Sequence, residues 1–182
     1  GCLMEGVSQE AIALAGRYRL NKLTVLWDDN DITIDGKVSL SDATDQKARF
    51  KAAGWAVKAI DGHDTKAIKS ALQWATRQDK PTLIACRTHI GFGSPNKQDS
   101  EKAHGSPLGA DEVAAARETL GWTAAPFDIP ADIAAAWAAF GERGKALHAE
   151  WNDRLANSDK KKEFSDRLSG KIIPGGAFKA YL

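Results

Sequence analysis

Three short runs of β-forming residues punctuate the first half of this chain: KLTVLW at 22–27, WAVKAI at 55–60 and PTLIACRT at 81–88. Between them lie stretches patterned as helices. SDATDQKARFKAAG covers 41–54, with Gly54 as its C′ stop, and DGHDTKAIKSALQWATRQ covers 61–78, opened by the Asp61-Gly62 turn. Strands separated by a helix pair in parallel, because only a long crossover returns the chain in the same direction. The alternation therefore predicts an α/β fold, a parallel sheet flanked by helices. A further helix is expected at the start, where Leu3, Val7, Ala11, Leu14 and Tyr18 fall on one face. In such sheets ligands bind beyond the carboxyl ends of the strands, so the residues following each strand are the candidates for function.

Two of those ends stand out. After the first strand comes DDNDITIDG at 28–36, four carboxylates and an asparagine in nine residues. Carboxylates this close repel one another unless they diverge into solvent or share a cation. A calcium loop is one reading: from Asp31, DITIDGKVSLSD places Asp35, Gly36, Ser39 and Asp42 at positions five, six, nine and twelve. Position three is Thr33, position twelve lacks the bidentate Glu, and the entering segment is β-rich rather than helical, all of which argue against an EF-hand-like calcium-binding module. A solvated acidic turn with Asp35-Gly36 at the reversal is the bland alternative. A Mg²⁺ site is the third, since this ion takes hard oxygen ligands and commonly shares them with substrate phosphates. Local chemistry leaves all three open. The third strand runs into a long loop, HIGFGSPNKQDSEKAHGSPLG at 89–109, of a length that is usually functional in a compact domain.

Beyond Gly109 the chain turns helical. ADEVAAARETLGW reads as one helix, and Ile133, Trp137, Phe140, Leu147, Trp151 and Leu155 form an apolar stripe, expected to pack on the same domain. SDKKKEF reads as a solvated charge run, and SGKIIPGGAFKAYL as a linker. The expected division is 1–125 as the α/β domain, 126–170 as its helical extension and 171–182 as the linker. Among 182 residues, 43% are hydrophobic and 27% charged, and the net charge is +1. That balance recruits neither nucleic acid nor an anionic membrane, and no apolar run reaches the roughly 20 residues needed to span a bilayer. The two cysteines, Cys2 and Cys86, fit a reducing cytoplasm better than a disulfide framework. The opening GCLMEGVSQE has neither an initiator Met nor a secretory leader, and reads as a sequence entered partway.

The blocks GCLMEGVSQEAIALAG, DDNDITIDG, DGHD, KPTLIACRTHIGFGSPNK and HGSPLG, in this order, resemble the diphosphate-binding domain of transketolases. The resemblance covers residues 1 to about 122 closely and the remainder more loosely. It implies the thiamine diphosphate-binding fold with a helical carboxy-terminal extension, and the cofactors thiamine diphosphate and Mg²⁺, with Ca²⁺ or Mn²⁺ as substitutes. The implied reaction moves a two-carbon ketol unit from a ketose phosphate such as xylulose 5-phosphate to an aldose phosphate such as ribose 5-phosphate. It belongs to the pentose phosphate pathway or the Calvin cycle. Another ketol-transferring enzyme of this cofactor, such as dihydroxyacetone synthase, is the alternative.

Carried over position by position, the resemblance implies that Gly1 offers its backbone N–H to the diphosphate. Asn30 would ligate the metal through its side-chain oxygen and touch the cofactor, with Ile32 a second metal ligand through its main-chain carbonyl. Ile34 and Ile90 would wall the thiazolium ring. His104 would lie near the diphosphate and the reacting end of the donor sugar, able to hydrogen-bond or move a proton. Glu5 and Glu10 would join an acid network at a homodimer interface. His63 and His148 are expected to be structural or solvated, and His89 carries no assigned role. In the pattern, an Asp ligating the metal precedes the position of Gly1, and a pyrimidine-binding domain supplies an activating glutamate. The isolated chain is accordingly expected to be inactive.

Overall fold

A computed structural model of the chain describes residues 1–171. The expected linker at 171–182 lies outside the described residues but for Lys171. The chain divides into two compact units after Thr123.

In the first unit, three parallel strands form the sheet: β1 (Thr24–Asp29), β4 (Ala56–Asp61) and β5 (Thr82–Arg87), in the order β1-β5-β4. Two short strands, β2 (Ile32–Thr33) and β3 (Gly36–Lys37), make a separate antiparallel hairpin directly after β1. β1 and β4 sit two and one residues later than the sequence runs suggest, and β5 is one residue shorter at each end. The shift includes the acidic ends Asp28, Asp29 and Asp61, which poor β propensity would leave out and which the ladder with β5 draws in.

β5 is the hub. Thr82 to Ala85 are buried because helices cover both faces of this central strand. Alternation sends Leu83 to one face, where it meets Ile12 and Ala15 of α1 (Gly6–Arg17), Phe50 of α2 (Gln46–Ala52), and Trp55. Ile84 goes to the other face, against Ala71 and Ala75 of α3 (Thr65–Ala75). Trp55 packs edge-on against Phe50, with centroids 5.0 Å apart, and donates its indole N–H to the Ile12 carbonyl at 2.9 Å. The buried indole N–H is thereby satisfied.

The face of α1 differs from the one the apolar spacing predicts. Val7 is 71% exposed and Leu14 53%, whereas Ile12 and Ala15 are buried. The helix is apolar on two sides, and the sheet takes the side with the smaller residues. The reason lies at the crossing of α1 with the end of α2: a Cβ on Gly16 would fall 1.8 Å from the Ala53 carbonyl oxygen. Only a face carrying glycine and alanine permits that approach.

Helix α2 is also shorter than expected. It starts at Gln46, because Asp45 caps it by accepting the Ala48 N–H at 3.0 Å. Its end is as predicted, with Gly54 at φ +88° after Ala53. Asp64 caps α3 in the same way through the Lys66 N–H. Helix α4 (Ala110–Thr119) closes the first unit.

The second unit holds α5 (Ala131–Ala156) and α6 (Lys161–Leu168). The charge run SDKKKEF, expected to be solvated, is exposed from Asp159 onward and leads into α6, which is held by pairs four residues apart, Lys162–Asp166 and Glu163–Arg167. Of the α5 stripe, Trp151 meets Phe164 of α6 at 6.0 Å, while Trp137 and Phe140 are exposed. Among the described residues no helix is long and apolar enough to cross a membrane.

The α1–α2 crossing yields a direct test. Gly16→Ala is expected to destabilise the fold by about 1–3 kcal/mol, the usual range for overpacking, read as a lowered urea midpoint. Gly6→Ala, whose Cβ would meet nothing within 4 Å, is expected to leave the midpoint unchanged or slightly raised.

Candidate functional site

Parallel pairing brings the three strand ends to one level: Asp29 and Asp61 both register with Arg87. Arg87 lies 3.7 Å from the Asp29 carboxylate and donates to the Asp29 carbonyl at 3.3 Å. Gly62 follows β4 so closely against β5 that an added Cβ would lie 2.9 Å from the Arg87 carbonyl oxygen. The sheet therefore ends in a tight floor, from which the acidic stretch and the long loop both leave.

The acidic stretch forms a built turn. Asp31 adopts a left-handed φ of +64° and swings the chain out of β1 into the hairpin. The Asp31 carbonyl accepts the Val38 N–H at 3.0 Å. In an antiparallel pair the next residue presents its N–H and carbonyl to the opposite edge. For Ile32 that N–H meets the Asn30 side-chain oxygen at 3.0 Å. Asn30 Oδ1 and the Ile32 carbonyl consequently share one edge of the hairpin. The Asn30 amide is held the right way round by its NH₂, which donates to Asp28 at 3.0 Å, and the other Asp28 oxygen accepts the Thr88 hydroxyl. One lone pair of Asn30 Oδ1 is left over. Neutral oxygens set among carboxylates are the donors a hard divalent cation takes, so these residues fit Mg²⁺. Among the described residues no cluster of three His, Cys, Asp or Glu side chains is placed to hold a metal. A cation here would draw its remaining ligands from elsewhere, as Mg²⁺ commonly does from phosphates.

The calcium-loop alternative fails on the same geometry. Residues 31–42 hold a hairpin and the short 3₁₀ turn Val38–Leu40 rather than a loop between helices. Asp42, the twelfth position, is spent on the Thr44 N–H at 3.0 Å and the Gln46 amide at 2.9 Å; hydrogen bonding from Thr44, its side chain first and then its N–H, lowers the Asp42 pKa, with Gln46 adding to the effect.

Ile34 stands at the tip of the hairpin, 71% exposed. It is no core residue, and its apolar side chain lies in water unless a ligand covers it. Ile90, three residues past the end of β5, is half-buried. Its carbonyl accepts the Asp99 N–H at 3.0 Å, which starts to fold the long loop back on itself. Gly91, at φ +63°, packs so tightly that an added Cβ would sit 2.8 Å from the Ala103 methyl. His104 follows that alanine directly and is exposed. The strand end that carries Ile90 and the segment that carries His104 are thus in contact.

Gly1 is exposed, and a Cβ there would meet nothing within 4 Å. Glu5 and Glu10 are also exposed, on the N-cap and second turn of α1.

Three histidine-centred contacts were not legible beforehand. His63 accepts the His89 backbone N–H at 3.1 Å and stacks 4.1 Å from Phe92, while His89 Nδ1 lies 2.9 Å from the Asp99 carboxylate. His63 is therefore structural, as expected, and DGHD is the signal that could have tied it to the loop. Glu112 was missed altogether. It is buried in the first turn of α4 and accepts three hydrogen bonds, from the Ser94 hydroxyl, the Asn96 N–H at 2.9 Å and the Asn96 amide at 2.9 Å. Those donors, the Ser94 hydroxyl above all, hold its carboxyl down at about 2. The stability it contributes is complete above the ordinary glutamate range and is lost as the pH falls from about 4 toward 2. Cys86 goes the other way: burial pushes its thiol up, with the Asp28 charge adding to the effect.

Comparison with known proteins identifies the family. The family profile described as transketolase, thiamine diphosphate binding domain, matches residues 1–174. A transketolase of Rhodobacter capsulatus is 52% identical over the whole chain, which spans 28% of that relative. The chromosomal transketolase of Cupriavidus necator is 50% identical over 96% of the chain, which spans 27% of it. The chain thus spans about a quarter of the length of the curated relatives it matches. Among solved structures, a transketolase variant of Pichia stipitis in complex with fructose 6-phosphate superposes with a TM-score of 0.87 at 36% identity, covering 96% of this chain and 27% of that one. The transketolase of Leishmania mexicana gives 0.87 at 34% identity, with the same coverage. A parallel α/β sheet, a profile match over nearly every residue and relatives at half identity agree: the chain belongs to the transketolase family, as its thiamine diphosphate-binding domain.

Proposed function

We propose that this chain provides the diphosphate- and metal-holding half of a transketolase active site. The supporting observation is the edge shared by Asn30 Oδ1 and the Ile32 backbone at the carboxyl end of β1. In this reading Asn30 and Ile32 hold Mg²⁺, for which Ca²⁺ or Mn²⁺ can substitute, and Gly1 offers its N–H to the diphosphate. Ile34 and Ile90 cover the thiazolium ring and exclude water from it. The exposed tip position of Ile34 suits that task. His104 hydrogen-bonds the diphosphate or the donor sugar and is the one catalytic side chain assigned here. When bound, thiamine diphosphate supplies the electron sink for cleaving the donor, while the chain supplies orientation and electrostatics.

The proposed reaction transfers a two-carbon ketol unit from a ketose phosphate such as xylulose 5-phosphate to an aldose phosphate such as ribose 5-phosphate, in the pentose phosphate pathway or the Calvin cycle. Pichia stipitis relatives have been solved in complexes with xylulose 5-phosphate, fructose 6-phosphate and sedoheptulose 7-phosphate. Two free cysteines fit a cytoplasmic enzyme.

The partner we propose is a second copy. Val7 and Leu14 on α1, with Met4 just before it and Tyr18 just after it, are all more than half exposed, apolar residues of the kind that mark an interface. Glu5 and Glu10 stand on the same segment. Enclosed by a partner copy, their carboxylates would need the hydrogen bonds of an acid network.

Two outcomes test these assignments in the full-length protein. Asn30→Ala is expected to weaken Mg²⁺-dependent thiamine diphosphate binding by at least about tenfold, read by calorimetry, whereas Asp42→Ala leaves the affinity unchanged. Equal losses in both variants would reject the metal assignment. Val7→Asp is expected to shift the species seen in sedimentation from dimer to monomer with loss of ketol transfer; an active monomer would reject the dimer.

A further inference from the structure

The loop that leaves β5 runs some twenty residues with a single short 3₁₀ turn, Glu101–Ala103. Ordering such a length costs conformational entropy and needs specific closures. Three overlapping ones are present. Asp99 closes on the Ile90 carbonyl through its N–H and on His89 through its carboxylate. Lys97 reaches across to donate to the carbonyls of Leu108 at 2.8 Å and Pro107 at 3.4 Å. This makes a ring of residues 97–108, on which His104 rides. At the base of that ring Glu112 accepts from Ser94 and twice from Asn96. Ser94 is 2% exposed and Glu112 9%, so this is the one buried polar tie in the loop. It also sits in the first turn of α4, where the helix dipole favours a carboxylate. Gly93 packs on Leu120 at the other end of α4, leaving no room for a side chain.

We infer that Glu112 is a positioning residue: by fixing Ser94 and Asn96 to α4, it holds the Ile90 strand end and the His104 ring in one arrangement around the cofactor. The inference rests on the thiamine diphosphate reading and adds to it a residue outside the site. The chemistry is specific to a carboxylate, since all three donors point at it. A carboxylate at position 96 would face Glu112 with like charge. A glutamine at 112 would then restore a donor–acceptor pair with the roles exchanged.

The test compares Asn96→Asp, Glu112→Ala and the double variant Asn96→Asp/Glu112→Gln in the full-length protein. Hydrogen exchange of residues 94–108 and the dissociation constant for thiamine diphosphate with Mg²⁺ are measured on each. Both single variants are expected to raise exchange in 94–108 while leaving β5 protected, and to weaken cofactor binding by about tenfold or more, as misplaced contact groups do. The double variant is expected to recover both. Faster exchange in 94–108 with unchanged cofactor affinity would overturn the inference, as would a double variant that recovers neither. Where Glu112→Ala does not fold, Asn96→Asp and its rescue carry the same decision. Absence of thiamine diphosphate binding in the unaltered protein would overturn the cofactor reading itself, a result distinct from failure of the Glu112 assignment.

Discussion

Everything in the first unit depends on β5 being buried on both faces between two parallel neighbours. That burial sends Leu83 into one layer and Ile84 into the other, and it fixes where α1, α2 and α3 lie. Parallel pairing on both sides then places Asp29, Asp61 and Arg87 at one level. A site assembled from loops far apart in sequence follows, because every strand delivers its outgoing loop to the same end of the sheet.

At that end the protein concentrates unusual backbone and polar ties. Asp31 and Asp99 hold left-handed conformations, and Gly62, Gly91 and Gly93 sit where side chains would collide. Such features persist where the surroundings over-determine them, which is the condition for presenting ligands in a fixed geometry. The Asn30 amide illustrates the point. Its nitrogen is tied to Asp28 and its oxygen to Ile32 N–H, so its orientation is fixed from both sides. The carboxylates that pose the question in the sequence are resolved by division of labour. Asp28 orients Asn30 and holds Thr88, Asp29 lies near Arg87, Asp31 turns the chain through its backbone, and Asp35 sits at the hairpin reversal with its N–H on the Thr33 hydroxyl.

The fold was legible because its signals are periodic: short β-rich runs, helical spacing between them and stop signals such as Gly54. The exposed row on α1 differs from expectation because spacing alone cannot say which of two apolar sides meets the sheet; the close approach of Gly16 to Ala53, 37 residues later in sequence but adjacent in the fold, makes that choice. The acidic cluster stands out in the sequence but not as a particular chemistry, since the calcium-loop, solvated-turn and Mg²⁺ readings use the same residues. Glu112 was invisible for a physical reason. In ADEVAAARE it looks like any solvated helix carboxylate, and only the return of Ser94 and Asn96 to α4 buries it. Periodicity reports local structure; closures over many residues are written only in three dimensions.

The central claim is that Asn30 and Ile32 form the protein's share of a metal site that anchors a diphosphate. The most direct measurement is anomalous diffraction from crystals of the full-length protein grown with thiamine diphosphate and Mn²⁺. The account predicts one strong peak about 2 Å from both Asn30 Oδ1 and the Ile32 carbonyl oxygen, the range of an octahedral hard-cation site. A peak at Asp42, or a cofactor-bound metal touching neither Asn30 nor Ile32, would contradict it.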